Sequence, residues 1–378
     1  MLTRLQLAAL HRSLRNEPVL TVYVDGATTD PATRHAWRVD LDHRLNDLRL
    51  WLTDATHAER AGLERSIQLL EEELATLSGG VAAPGWVAFI EPGRFHEAHH
   101  LPAPTPTLAV WSMGLCIAPY MRALKQTRPV VVAVADARKV DLYYYCVGKL
   151  ERIATVRAHR VVGPSSHMGA PSMQGFHTGT RGSAGHDAAQ RALLAGRDRM
   201  VAEAADRIRD LAADDSWIVL GGIPRVVARL ASELSAVSRH RILELEALDV
   251  HASAAHIAAA AQHGASTLRD ASDARQLANI AELAESGGAA AVGPAATEHA
   301  LEQACVRDLY LTRRYLNDHA AEAEDAVRAA FDQDAVVEEV SRAPAEWLDA
   351  RGGMAARLRY GVGEAETADA GIATLSAP

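Results

Sequence analysis

Between Val130 and Ala158 three β-branched and aromatic runs follow one another almost without a break: VVVAVADA (Val130–Ala137), VDLYYYCV (Val140–Val147) and LERIATVRA (Leu150–Ala158). Runs of this composition, opened by Pro129 and turned at Gly148-Lys149, predict three antiparallel strands. The chain that follows cannot extend them. From Gly163 it is broken by Gly169, Gly175, Gly179, Gly182 and Gly185, with Pro164 and Pro171, and no apolar period survives. Near Asp187 a helical period begins, placing Leu193, Met200, Ala204, Ile208 and Leu211 on one stripe. SWIVLGG (Ser216–Gly222) is then a buried strand that feeds a helix through Ile223-Pro224, ending near Val237. RILELEAL (Arg241–Leu248) predicts a strand, and Ala252–His263 a helix. Three antiparallel strands, a crossover and β-α-β-α make a mixed α/β sheet.

The Gly-rich stretch 163–187 is too long for an ordinary connection, which makes it either functional or a plain insertion between hairpin and helix. It carries Gln174, His167, His177, Arg181 and His186. It also leads onto a helix start, where free N–H groups and the macrodipole favour phosphate. His177, Gly179, Arg181, Gly182, Gly185 and His186 are therefore the candidate RNA-contacting residues. The chain as a whole is not coated for nucleic acid: Lys+Arg 39 against Asp+Glu 48 give a formal charge of −9. Lysine is confined to Lys125, Lys139 and Lys149, so a basic face would be made of arginine.

A length of 378 residues predicts two or three domains. No run has the apolar length of a membrane span, and MLTRLQLAALHRSLRNE lacks a signal peptide's apolar core, so a cytoplasmic protein without membrane contact is expected. Cys116, Cys146 and Cys305 form no CxxC pair and are expected as buried thiols. The 17 histidines show no HExxH spacing, and neither metal nor cofactor is expected.

The first third opens with PVLTVYVD (Pro18–Asp25), a strand. Two helices follow, with Trp37, Leu41, Leu45, Leu48 and Leu52 on one stripe and Leu63, Ile67, Leu70, Leu74 and Leu77 on the other. Strands GWVAFIE (Gly85–Glu91) and FHEAHHL (Phe95–Leu101) flank a Glu91-Pro92-Gly93 turn, and a further strand covers Thr107–Trp111. The last third alternates strictly: helices Ala274–Glu285, Ala295–Ala304, His319–Phe331 and Ala343–Ala350 with strands Ala289–Val292, Asp308–Thr312, Ala335–Val340 and Met354–Tyr360. Such alternation predicts a three-layer α/β sandwich. The polar stretch Gln262–Ala274 marks the boundary before it. The expected domains are 1–125, α+β; 126–268, a central mixed α/β domain; 269–361, the sandwich; and a disordered tail, 362–378.

Residues in each third resemble the archaeal and eukaryotic class 1 release factor and Pelota superfamily, and most closely its bacterial archaeo-eukaryotic release factor branch. GGAAAVGPAATEHALEQACVRDLYLT and the near-terminal GGMAARLRY (Gly352–Tyr360) resemble the superfamily's third domain. VAVADARKVDLYYYCVGKLERI and WIVLGG resemble its second, and LTVYVD with Asp30-Pro31 the first domain of the bacterial members. The resemblance implies a ribonuclease-H-like central fold and a C-terminal sandwich like kink-turn-binding ribosomal proteins. It implies a ribosome-associated factor that enters the A site and meets rRNA near the peptidyl-transferase centre, for hibernation or rescue. Elongation factor Tu or another translational GTPase is the implied partner.

Two departures limit what can be carried over. Release factors hydrolyse peptidyl-tRNA with a Gly-Gly-Gln tripeptide, and the central loop has none: Gln174 sits in Met173-Gln174-Gly175, and Gly221-Gly222 is followed by Ile223. The stop-codon-reading Asn-Ile-Lys-Ser is also missing. Neither decoding nor release is expected. A peptidyl-tRNA hydrolase or tRNA-cleaving rescue enzyme remains the alternative, with Gln174, His177 and His186 as its candidates. A nuclease would need carboxylates converging on Mg²⁺, for which Asp136 and Asp141 lack companions. His96, His99 and His100 alternate along a strand rather than converge. An interaction protein using the sandwich to bind a protein or a kinked RNA is the third reading.

Overall fold

The computed structural model describes residues 1–26, 36–77, 81, 83–158, 181–212 and 216–360, and the side chains of these other than 181–192 and 235–238. The chain is mixed α/β, as the sequence predicts, and folds as two compact units. One joins Met1–Thr127 to the chain from Asp273 onward; the other is Arg128–Ser272.

The first unit contains two sheets. β1 (Pro18–Asp25), β2 (Gly85–Glu91), β3 (Arg94–Leu101) and β4 (Leu108–Met113) pair antiparallel in the order β3-β2-β1-β4. The two helices predicted after β1, α2 (Ala36–Trp51) and α3 (His57–Thr76), cover one face. There Trp37, Leu41, Leu45, Ile67 and Leu70 pack on Leu20, Val22, Trp86 and Ile90. The opposite face, with Val19, Tyr23, Val87 and Phe89, is also buried. Burial on both sides is why PVLTVYVD reads as a continuous apolar run.

Two helices that the sequence reading does not predict close that second face: α1 (Arg4–Leu14) and α4 (Ala118–Gln126). α1 opens with a capping box formed by Thr3 and Gln6. α4 has Pro119 in its first turn and no side-chain cap of its own. Its starting N–H groups are satisfied from the far end of the chain, which no local signal reveals.

The second sheet comprises β10 (Ala290–Val292), β11 (Val306–Thr312), β12 (Val336–Val340) and β13 (Met354–Leu358), in the order β10-β13-β11-β12 with only β11 and β12 parallel. α8 (Pro294–Glu302) and α10 (Ala320–Asp332) pack on one face. α11 (Ala343–Asp349) and the end of α7 (Ala254–Glu285), through Leu277 and Ile280, pack on the other. The predicted three layers are present, and a short helix, α9 (Arg313–Asp318), precedes α10. Phe331, Val327 and Ala323 of α10 lie in one core with Leu7 and Leu14 of α1 and Tyr120 of α4, so both sheets share it.

In the central unit β5 (Val130–Ala135), β6 (Lys139–Cys146) and β7 (Lys149–Arg157) form the predicted antiparallel strands. β8 (Trp217–Gly222) and β9 (Ile242–Glu244) add parallel to β5, giving the order β7-β6-β5-β8-β9. The turn between β6 and β7 is Val147-Gly148, with φ 50 and 76, one residue earlier than Gly148-Lys149. β5 alternates strictly: Val131, Ala133 and Ala135 face α5 (Arg181–Leu211) and α6 (Pro224–Ser238), while Val130, Val132 and Val134 face α7.

Two expectations change here. β9 keeps only three residues of the predicted strand Arg241–Leu248, because the chain turns away at Leu245. Gln262–Ala274, expected as a polar boundary, is helical, the middle of the continuous α7, and the division between the two units falls within it after Ser272. Its Gly264 lies where a Cβ would stand 2.4 Å from Val219 Cγ2, so it is a close-packing residue and not a helix breaker.

Candidate nucleic-acid interface

The hairpin ends, β8 and α6 meet at one end of the central sheet. Register places Lys139 opposite Arg157 and Ala135 opposite both Val140 and Gly222. The backbone is tied across this end: Asp136 N donates to Lys139 O (2.8 Å), Ala158 N to Arg138 O (2.9 Å) and Ile223 N to Ala135 O (2.8 Å). Arg138 and Arg157 are exposed, and Arg225 is exposed in the first turn of α6. Neither Arg138 nor Arg157 has an ion pair among the described residues. Charge is not uniform along this edge, since Glu244, Glu246 and Asp249 are exposed at its β9 side. The cationic part is thus the hairpin side.

α5 begins at Arg181, earlier than the Asp187 that the apolar period predicts, and has 31 residues. At about 1.5 Å per residue it is roughly 46 Å long. β5, with six residues, spans only about 20 Å. The helix packs on the sheet through Met200, Val201, Ala204, Ala205 and Ile208. Its C-terminal end leads into Trp217, opposite Val130, at the other end of the sheet. Its first half therefore runs beyond the packed portion on the same side as Arg138 and Arg157, and Leu193 there is 69% exposed. β7 ends at Arg157, at this cationic end, and α5 begins at Arg181; residues 159–180, with the start of the Gly-rich stretch, lie outside the described residues.

The predicted site residues fall at this point in the chain. Gln174, His177 and Gly179 lie outside the described residues. Arg181, Gly182, Gly185 and His186 are in the opening turns of α5, where the backbone alone is described. Arg138 and Arg157 are absent from the sequence-derived set. They stand at strand ends in a run that reads as core, and only the register brings them together.

Asp141, weighed for metal chemistry, is committed elsewhere. It accepts from Lys139 Nζ (2.7 Å), Thr155 Oγ1 (2.7 Å) and Arg152. Burial works to raise its pKa, and these three hydrogen bonds outweigh burial and hold it below the usual carboxylate range. The cations bonded to it leave no room for Mg²⁺. In β3, His96 is bonded to Glu91 (3.0 Å), and burial lowers the His99 pKa. Among the described residues no group of His, Cys, Asp or Glu could hold a metal ion, and no helix is long and apolar enough to cross a membrane.

Residues 116–266 match the family model of bacterial archaeo-eukaryotic release factor family 10. No curated protein sequence matches the chain. Among solved structures it is similar to Archaeoglobus fulgidus Pelota, at 13% identity over 73% of this chain and 79% of that one, with a TM-score of 0.37. It is similar to S. cerevisiae Dom34, described as a translation termination-like factor involved in RNA quality control pathways and interacting with Hbs1, at 11% identity over 74% and 81%, TM-score 0.45. It is also similar to the archaeal translation termination factor aRF1, at 17% identity over 95% and 99%, TM-score 0.25.

Proposed function

From the premise that residues 116–266 carry the release-factor-like domain of bacterial family 10, we propose that this protein works on the ribosome. It enters the A site for hibernation or rescue, without decoding a stop codon. The observation that carries the reading is that this domain presents exposed Arg138 and Arg157 together at the end of the central sheet where β7 ends, immediately before the residues that lead to the Gly-rich stretch in the sequence. Arginine at that position suits rRNA phosphates and stacked bases. The Gly-rich residues His177, Gly179, Arg181, Gly182, Gly185 and His186 are the proposed contacts near the peptidyl-transferase centre. A translational GTPase such as elongation factor Tu is the proposed partner.

The reading excludes peptide release, because no Gly-Gly-Gln stands in the stretch to position an attacking water. The test is co-sedimentation of the protein with purified ribosomes over a salt series. Arg138→Glu/Arg157→Glu and Arg181→Ala should each weaken binding, the double variant by about tenfold or more with a shallower salt slope. Unchanged binding, or a wild type that stays in the supernatant, overturns the proposal. Release of peptide from stalled nascent-chain complexes would move the protein to the hydrolase class.

A further inference from the structure

Arg225 joins the cationic end of the central sheet. Ile223 N donates to Ala135 O (2.8 Å), and from that pair the chain reaches Arg225 two residues on and Arg138 three residues on. Lys139 lies opposite Arg157. The three arginines therefore follow one edge, from the end of β7, past the turn between β5 and β6, to the start of α6. With strands about 4.8 Å apart, β7 to β8 spans about 14 Å.

All three are exposed, and none has an ion pair among the described residues. Elsewhere in the same unit Arg152, Arg207, Arg209 and Arg229 each have a carboxylate partner. The acids nearest the three in the chain are engaged: Asp141 by Lys139 and Arg152, and Asp136 Oδ1 by Ala137 N. Uncommitted guanidinium groups in a row suit phosphates, which accept two hydrogen bonds from each.

The edge also has a stop. Beyond β8, Glu244 is opposite Leu220, and a Cβ on Gly221 would stand 2.5 Å from Leu248 Cβ. That close packing brings Asp249 level with the end of β8. Glu244, Glu246 and Asp249 are exposed, and between the buried Arg241 and Arg269 the chain has no Lys or Arg. Charge along the edge thus changes sign over about one strand spacing.

We infer that this edge holds a short run of phosphates on one RNA strand, with Arg225 as a third contact beside Arg138 and Arg157. Glu244, Glu246 and Asp249 end the run by repelling the phosphates beyond it. The inference rests on the reading that this unit meets RNA, and adds to it the residues that set how much backbone is held.

The test is fluorescence anisotropy of the full chain with labelled oligouridines of four and of twelve nucleotides over a salt series. Arg225→Ala should weaken both by about threefold to tenfold and lower the salt slope by about 0.7, the value of one single-strand phosphate. Arg229→Ala, one turn further along α6 and paired with Glu233 (3.1 Å), should change neither. Glu246→Gln/Asp249→Asn keeps the acceptor that Asp249 offers His251 N (2.7 Å). It should tighten the longer RNA by about threefold or more and the shorter one little. An Arg225→Ala protein that behaves like Arg229→Ala overturns the inference. So does an acid variant that fails to separate the two lengths, a polyglutamate peptide held as well as RNA, or a wild type that binds neither oligouridine. A wild type that binds oligouridine but does not sediment with ribosomes counts against the ribosome reading alone.

Discussion

Glu324 shows how much one side chain can decide. From the middle of α10 it accepts Ile117 N (2.7 Å), Ala118 N (2.9 Å) and the Cys116 thiol (3.4 Å), and it pairs with Arg328 (3.2 Å). Arg328 in turn donates to Leu115 O (2.9 Å) and Ser112 Oγ (2.9 Å). The carboxylate does for α4 what a local Asp or Ser does for most helices. Burial, followed by the nearby Glu324 charge, pushes the Cys116 thiol well up, so it stays protonated as donor. Glu324→Ala leaves two buried N–H groups without their acceptor and takes from Arg328 its carboxylate partner. It should cost about 3 kcal/mol or more, read as a lower midpoint in denaturant unfolding. Glu324→Gln, which keeps an acceptor oxygen, should cost less. In the sequence Glu324 is one of several acids in AAEAEDAVR and reads as a solvated helix face. Its role depends on a partner 206 positions away, beyond any local pattern.

At the scale of elements the sequence is more open. Apolar periods locate both helices after β1, all three strands of the central hairpins and the alternation of the last third, because burial imposes a period on each. What the periods cannot give is which surface each stripe meets. The cationic hairpin end is illegible for the same reason: Arg138 and Arg157 are apart in sequence and become neighbours only through strand register. The end of β8 is a stringent feature of that register. Gly222 has φ 113, and a Cβ there would stand 2.0 Å from Ala135 O, the acceptor that orients Ile223 and so the start of α6. Gly222→Ala should lower the unfolding midpoint of the central unit by several degrees. The measure is calorimetry, and an unchanged transition would contradict the tight approach of β8 to β5.

Across the whole molecule, the first unit is held by groups drawn from both ends of the chain. Lys125 pairs with Asp273 (2.8 Å) and Glu338 (3.2 Å), and Glu339 is shared by Arg122 (2.8 Å) and Arg313 (2.8 Å). His11 of α1 is buried against α10, with Nε2 3.2 Å from Asp332 Oδ1 and Nδ1 without a partner among the described residues. Burial lowers its pKa, and the opposing pull of Asp332 does not restore it. Arg328 and Glu324 are the other charged groups bearing on it. The folded state therefore binds this proton less readily than the unfolded chain. Its contribution is present above the ordinary imidazole range and is lost as pH falls through the folded value. Thermal unfolding of the first unit should fall between about pH 7 and pH 5, and His11→Gln should flatten that slope. An identical slope in the variant would remove His11 as its source.

The shared core of that unit has a consequence for synthesis. Residues 1–127 are made before residues 128–272, yet the core that Tyr23, Val87, Phe89 and Tyr120 share with α1 and α4 is completed only by residues from Ala291 onward. The intervening 128–272 have every strand of their own sheet as soon as they are made. On a translating ribosome the middle of the chain can thus mature while the beginning waits, half clad, for the end.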